Sequence, residues 1–182
     1  MVLRKKRVVI CGFGDIGIMV AQHLAAHDDI EIVAVTPKPC HHSGQELGGR
    51  LTQPAMWQEL YFLSFSAYTG LDKVHIIQGY VTHVDVERRI VSIQRPATKQ
   101  SDTDTSTEAE DDNSNNSSNH AATTLSCEYD VLLISSGCTN GFWRKPDHFD
   151  RATLRRQIEE DHQRIARAPT VAVVGGGVSG VS

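Results

Sequence analysis

The chain has 182 residues, 40% of them apolar, and a formal net charge of −4. That is enough apolar material for one buried core, but no run of 18 apolar residues would cross a membrane as a helix, and no basic excess favours nucleic acid as a partner. The four cysteines, Cys11, Cys40, Cys127 and Cys138, contain no CxxC pair, which points to reduced thiols in a cytoplasmic setting rather than a disulfide scaffold. The basic opening, Met1 to Arg7, leads into only four apolar residues, too few for the core of a signal peptide.

In chain order, Val8-Val9-Ile10-Cys11 reads as a short buried strand that meets Gly12 at once. Ile16, Met19, Val20 and Leu24 then fall at helical spacing and predict an amphipathic helix over Asp15–Ala26. Ile30 to Val35 is a second strand, stopped by Thr36-Pro37-Lys38-Pro39, because proline cannot continue a central strand. Cys40-His41-His42 opens a loop rich in Gly and His. With no second ligand pair at zinc spacing, it is read as a polar loop and not a metal site. Pro54 opens a predicted helix through Phe65, with Trp57, Leu60, Tyr61 and Phe65 as a core face.

Val74 to Ile77 is a third strand. Val81–Val86 and Ile90–Ile93 flank the turn Glu87-Arg88-Arg89 and predict a β-hairpin. Residues 97–124 contain no Val, Ile, Leu, Phe or Trp, and carry six acidic residues against the single Lys99. Such a stretch cannot offset its ordering entropy by burial and is expected to be a disordered, solvated insertion. After it, Tyr129-Asp130 leads into the apolar strand Val131–Ile134, closed by Ser135-Ser136-Gly137. Thr153–Arg167 is a charged helix with one apolar stripe, Leu154, Ile158 and Ile165. Val171–Val174 reads as a further buried strand, followed by Gly175-Gly176-Gly177-Val178-Ser179-Gly180.

Two motifs carry chemistry. Gly12-Phe13-Gly14-Asp15-Ile16-Gly17 is a GxGxxG turn between a predicted strand and a predicted helix. In that context the first glycine allows the tight turn and the second lets a pyrophosphate approach the backbone. The third lets the helix pack closely, and the helix N-terminus supplies donors and positive potential. The acid expected near the end of the second strand is replaced by Thr36, with Lys38 close by. A small hydroxyl beside a base also suits a 2′-phosphate, so the residues leave FAD and NADP both open. Gly175, Gly177 and Gly180 repeat the motif 163 positions further on, again after a predicted strand.

With its paired glycine motifs and the intervening Tyr-Asp strand, the chain resembles the two-dinucleotide flavoproteins of the pyridine nucleotide-disulfide oxidoreductase superfamily. It is similar in particular to the apoptosis-inducing-factor-like and type II NADH dehydrogenase-like branch. The resemblance implies an α/β, three-layer Rossmann-like FAD/NAD(P)-binding fold with a small β-hairpin layer. Residues 1–145 would be the FAD-binding domain, and 146–182 a linker helix and the first strand-turn of an NAD(P)-binding domain. Only Val181 and Ser182 follow Gly180, so the chain reads as the N-terminal portion of such an enzyme.

By the same resemblance, Gly12, Gly14 and Gly17, with Phe13, Asp15 and Ile16 between them, would hold the FAD pyrophosphate. Thr36 and Lys38 would sit by the adenosine ribose, Arg50 near the flavin nucleotide, Val81 against adenine through its backbone, and Ser136-Gly137 in the turn beside the cofactor. Gly175, Gly177 and Gly180 would hold NAD(P)H. Departures from the family pattern are Thr36 for the acid, Ser-Ser-Gly for Ala-Thr-Gly, Ser182 where Glu is usual, and the absence of a CxxxxC redox pair. The implied activity is hydride transfer from NAD(P)H to FAD and onward transfer to a small-molecule acceptor such as a quinone, with no side chain here needed as a catalytic acid or base. The alternatives are a dinucleotide-binding module without turnover and an inactive fragment. Oligomeric state is not legible.

Overall fold

The computed structural model describes residues 4–41, 62–95, 123–137 and 150–174. A strict two-residue alternation organises the first sheet. In β1 (Lys6–Cys11) and β2 (Ile30–Thr36), Val8, Ile10, Ile32 and Ala34 point to one face, and Val9, Cys11, Val33 and Val35 to the other. Both faces are buried, as a parallel sheet requires. β3 (Val74–Gln78) pairs with β2, and β7 (Val131–Ile134) with β1, giving a four-stranded parallel sheet in the order β3-β2-β1-β7.

One face is covered by α1 (Asp15–Leu24), together with Phe65 and Leu71 from the short 3₁₀ turns Phe65–Ala67 and Leu71–Lys73. The other carries a three-stranded antiparallel sheet, β4 (Tyr80–Asp85), β5 (Ile90–Gln94) and β6 (Thr124–Glu128), which contributes Val91, Ile93 and Cys127 to the second core. A last helix, α2 (Arg151–Arg167), is N-capped by the Asp150 carboxylate accepting from Thr153 N–H at 2.7 Å. It buries Ile158 and leaves Arg155, Arg156 and Arg164 exposed. The expected α/β layering is therefore present, with its β-hairpin layer enlarged to three strands.

Five expectations change. First, the buried face of α1 is Gly17, Ile18 and Ala21, while Ile16 and Met19 are 56% and 50% exposed. Small residues let the helix lie close to the sheet, and they carry too little hydrophobicity to mark the face in the sequence. Second, Thr124, assigned to the insertion, begins β6. Leu125 and Cys127 turn toward β5 and the core while Ser126 and Glu128 face solvent, so a weak five-residue alternation sits at the end of a polar tract.

Third, Val171–Val174 forms no strand and joins neither described sheet, and Val174 is 98% exposed, so the run lacks the strand partner its sequence pattern needs. Fourth, Phe62–Ser64 is not helical. Leu63 forms a backbone bridge with His41, and Phe65 starts a 3₁₀ turn. Fifth, Cys40 and His41 are buried, so the start of the expected polar loop is core. Trp57, Leu60, Tyr61, the Leu154 side chain and residues 97–122 of the insertion lie outside the described residues.

The Tyr-Asp pair ahead of β7 has a structural task. Asp130 accepts the Arg7 backbone N–H at 2.7 Å and Arg4 Nη2 at 2.7 and 2.9 Å, while its own N–H donates to Arg7 O at 2.9 Å. The backbone bond from Arg7, and then Arg4, hold the carboxyl below the ordinary carboxylate range. A depressed folded value means stability that is present above the unfolded carboxylate range and lost as pH falls through the folded value. Asp130→Asn should lower the melting temperature at pH 7 and flatten its decline below about pH 4, which a thermal-denaturation series against pH would register.

β5 and β6 are paired up to Gln94 and Thr124, and Arg95 N–H bonds Thr123 O at 2.9 Å, so the ends of the long connection are already closed. Closure entropy grows only logarithmically with loop length. Replacing residues 97–122 with a short Gly-Ser turn should leave the melting temperature nearly unchanged, as calorimetry would show.

Candidate functional site

In the strand order β3-β2-β1-β7, the chain steps outward from β1 through β2 to β3, then returns to the other side of β1 with β7. The carboxyl ends of β1 and β7 flank that reversal, where open α/β sheets leave a crevice for ligands. The loop Gly12–Gly17 leaves β1 at this point.

Its three glycines are needed for different reasons. Gly12 has φ +97°, and a Cβ there would lie 2.5 Å from Ser135 O and from the Ser136 backbone. Its N–H donates to Val35 O at 2.9 Å, and its carbonyl accepts from Ser135 Oγ at 2.7 Å. Gly12 is thus clamped between the ends of β2 and β7. A Cβ on Gly17 would lie 2.4 Å from Gly12 O, so this glycine sets how closely α1 returns to the loop. Gly14 is different: no atom lies within 4 Å of where its Cβ would be. It is the N-cap of α1, and having no side chain, it caps none of the first-turn amides. The first intrahelical bond is Ile18 N–H to Gly14 O, so the amides of Asp15, Ile16 and Gly17 have no intrahelical acceptor. Open space before uncapped amides fits an anion.

The other predicted positions fall as follows. Phe13 is buried, its ring 5.2 Å from that of Phe65, so only its backbone can reach a ligand. Ile16 is exposed on the first turn. Thr36 ends β2 almost fully buried; its hydroxyl accepts the Lys38 N–H at 3.3 Å, and its carbonyl accepts Gly79 N–H at 2.8 Å. Val81 packs partly into the second core at the start of β4. Ser136 and Gly137, the latter at φ +68°, are exposed beyond β7. The fold therefore gathers Gly12–Gly17, Thr36 and Ser135–Gly137 at the carboxyl ends of adjacent strands. Arg50, Gly175, Gly177 and Gly180 lie outside the described residues.

Two residues here went unmarked in the sequence. Ser135 was read only as part of a closing turn, yet its hydroxyl ties β7 to Gly12. His41 is buried with both ring nitrogens bonded, Nε2 to Asp15 Oδ1 at 3.0 Å and Nδ1 to the Tyr68 hydroxyl. Burial pushes this imidazole below its ordinary value, against the opposing pull of the Asp15 carboxylate. Burial also pushes the Cys11 thiol up to about 11 and raises those of Cys40 and Cys127, which disfavours thiolate chemistry. Among the described residues no cluster of metal ligands occurs, and no helix is long and apolar enough to cross a membrane.

No family model matches the chain, and no curated protein matches it in sequence. Solved structures do share its architecture. Reduced CoADR-RHD from Bacillus anthracis aligns with a TM-score of 0.57 at 14% identity, over 91% of this chain and 27% of that one. NDH2 from Plasmodium falciparum in complex with NADH aligns with a TM-score of 0.56 at 10% identity, over 93% of this chain and 32% of that one. The sulfide:quinone oxidoreductase from the hyperthermophilic bacterium Aquifex aeolicus gives 0.52 at 14% identity, over 89% and 33%. The shared fold is Rossmann-like α/β, with the parallel sheet β3-β2-β1-β7 and a small antiparallel sheet. The structural similarity extends over most of this chain, which spans between 27% and 33% of the length of these three structures.

The glycine geometry makes a stability prediction that needs no ligand. Gly12→Ala and Gly17→Ala should each cost about 1–3 kcal/mol, because a backbone must move to admit the new methyl group. Gly14→Ala should stay within about 0.5 kcal/mol of the parent, as an exposed substitution with nothing to strike. Urea unfolding of the three variants measures the difference.

Proposed function

We propose that this chain carries the FAD-binding portion of an NAD(P)H-dependent flavoprotein oxidoreductase, with Gly12–Gly17 as the pyrophosphate cradle. The observation behind the proposal is the contrast among the three glycines. Gly12 and Gly17 are dictated by close packing, whereas Gly14 stands in open space beside the uncapped amides of α1. Packing alone accounts for the first two, and a ligand accounts for the third.

The residues present fit that group. The amides of Asp15, Ile16 and Gly17 would donate to the pyrophosphate, with the positive end of α1 behind them. Thr36 would lie by the ribose, Val81 would offer its backbone to adenine, and Ser136-Gly137 would border the flavin side, with Arg50 assigned to the flavin nucleotide. When bound, the flavin supplies the two-electron chemistry, taking hydride from NAD(P)H and passing electrons to a small acceptor such as a quinone. The protein's contribution is to bind and orient. The NAD(P)H half of the proposal rests on the second glycine motif, Gly175, Gly177 and Gly180.

A second reading has a specific observation in its favour. β2 ends on Thr36 and not on an acid, with its hydroxyl turned to the Lys38 amide. This suits a module that holds NADP, or FAD without turnover.

A visible spectrum of the chain, incubated with FAD and desalted, tests the proposal. The parent should retain a flavin spectrum, and Gly14→Val should lose it with helix content and melting temperature unchanged. A colourless parent that takes up NADP would favour the second reading. Equal flavin retention by parent and variant would remove the cradle assignment.

A further inference from the structure

An aspartate in the first turn of an uncapped helix has a natural place to go. Its carboxylate is attracted to the free amides and to the positive end of the helix, the same donors a pyrophosphate needs. Asp15 occupies that position, so an anion built into the loop could compete with the ligand. Its carboxylate is instead drawn aside, with Oδ1 3.0 Å from His41 Nε2.

His41 is well placed to hold it. The residue is buried, and its backbone is fixed by two bonds to Leu63, N–H to O at 2.9 Å and O from N–H at 3.0 Å. The tautomer follows from donor and acceptor counting. A carboxylate only accepts, so Nε2 carries the hydrogen, which leaves Nδ1 to accept from the Tyr68 hydroxyl. Tyr68 comes from a different segment, after the turn Phe65–Ala67, and its ring meets the His41 ring edge-on at 5.4 Å. The chain Tyr68–His41–Asp15 is therefore directional, and it ends on the only acidic residue of the glycine loop.

We propose that His41, oriented by Tyr68, is a positioning residue that holds the Asp15 carboxylate off the first-turn amides of α1 and so keeps the glycine loop open to a dinucleotide pyrophosphate. The proposal rests on the reading of Gly12–Gly17 as a dinucleotide cradle.

The test is a flavin-fluorescence titration of the full chain with FAD, across His41→Phe, Tyr68→Phe, Asp15→Asn and the double variant His41→Phe/Asp15→Asn. His41→Phe should weaken FAD binding by about tenfold, the scale of one released carboxylate close to a pyrophosphate at a protein surface. Tyr68→Phe should weaken it less, in the same direction. Asp15→Asn should bind FAD as tightly as the parent or more tightly, and adding His41→Phe to it should change nothing further.

Equal losses from His41→Phe in the parent and in the Asp15→Asn variant would mark a merely structural histidine and overturn the proposal. Weaker binding by Asp15→Asn would also overturn it, since the carboxylate would then be helping the ligand. Circular dichroism checks folding, and if His41→Phe does not fold, Tyr68→Phe in the same two backgrounds decides the matter. Gly14→Val separates the two levels. If it binds FAD like the parent, or if the parent binds neither FAD nor NADP, the cradle and this inference fall together; a parent that binds NADP alone is titrated with NADP across the same variants. If only the parent binds, the His41 variants judge the inference alone.

Discussion

The contact on which the rest of this structure depends is the one between Gly12 and the turn after β7. Two backbones pass so closely that a single methyl group would not fit, and one hydroxyl, Ser135 Oγ, bonds across the gap. The approach draws the carboxyl ends of β1 and β7 together and sets the exit of the glycine loop. Gly17 carries the same constraint one turn further, where its missing side chain lets the helix settle against Gly12 O.

Around this frame the polar groups divide by role. The buried thiols and the Thr36 hydroxyl are absorbed into packing and local backbone bonding. What remains at the loop is a set of amides with one carboxylate beside them, tethered by a buried imidazole. On the proposed reading of this loop, a site for a doubly charged ligand would carry an acid in its own first turn, with another residue fixing where that acid points. The side chain that meets the aspartate comes from a separate segment, 26 positions along the chain.

Most of the main sheet was legible because its strands are short apolar runs bounded by Gly, Pro or a polar turn, and a parallel sheet buried on both faces writes itself that way. The glycine loop was legible because strand, turn and helix follow one another without a gap. The buried face of α1 was not, since Gly17 and Ala21 are too small to register in a hydrophobic pattern that Ile16 and Met19 dominate. β6 was hidden by its neighbour, a polar tract whose composition runs into Thr124. Val171–Val174 shows the converse error: an apolar run has strand character, yet it becomes a strand only beside another. The role of His41 was out of reach because its partners, Asp15 and Tyr68, lie far from it in sequence, and nothing in Cys-His-His records what surrounds the ring.

The pair β1–β7 is held in two chemically different ways at its two ends. At the amino end, Asp130 meets Arg4 and Arg7 through a charged network open to solvent. At the carboxyl end, Ser135 and Gly12 meet through an uncharged hydroxyl-to-carbonyl bond and close-packed backbone. Salt and acid act on the first and leave the second alone. The two ends of the strand pair should therefore respond differently to salt and acid, the Asp130 end loosening first. The geometry of the glycine loop then depends on contacts that ionic conditions do not reach directly.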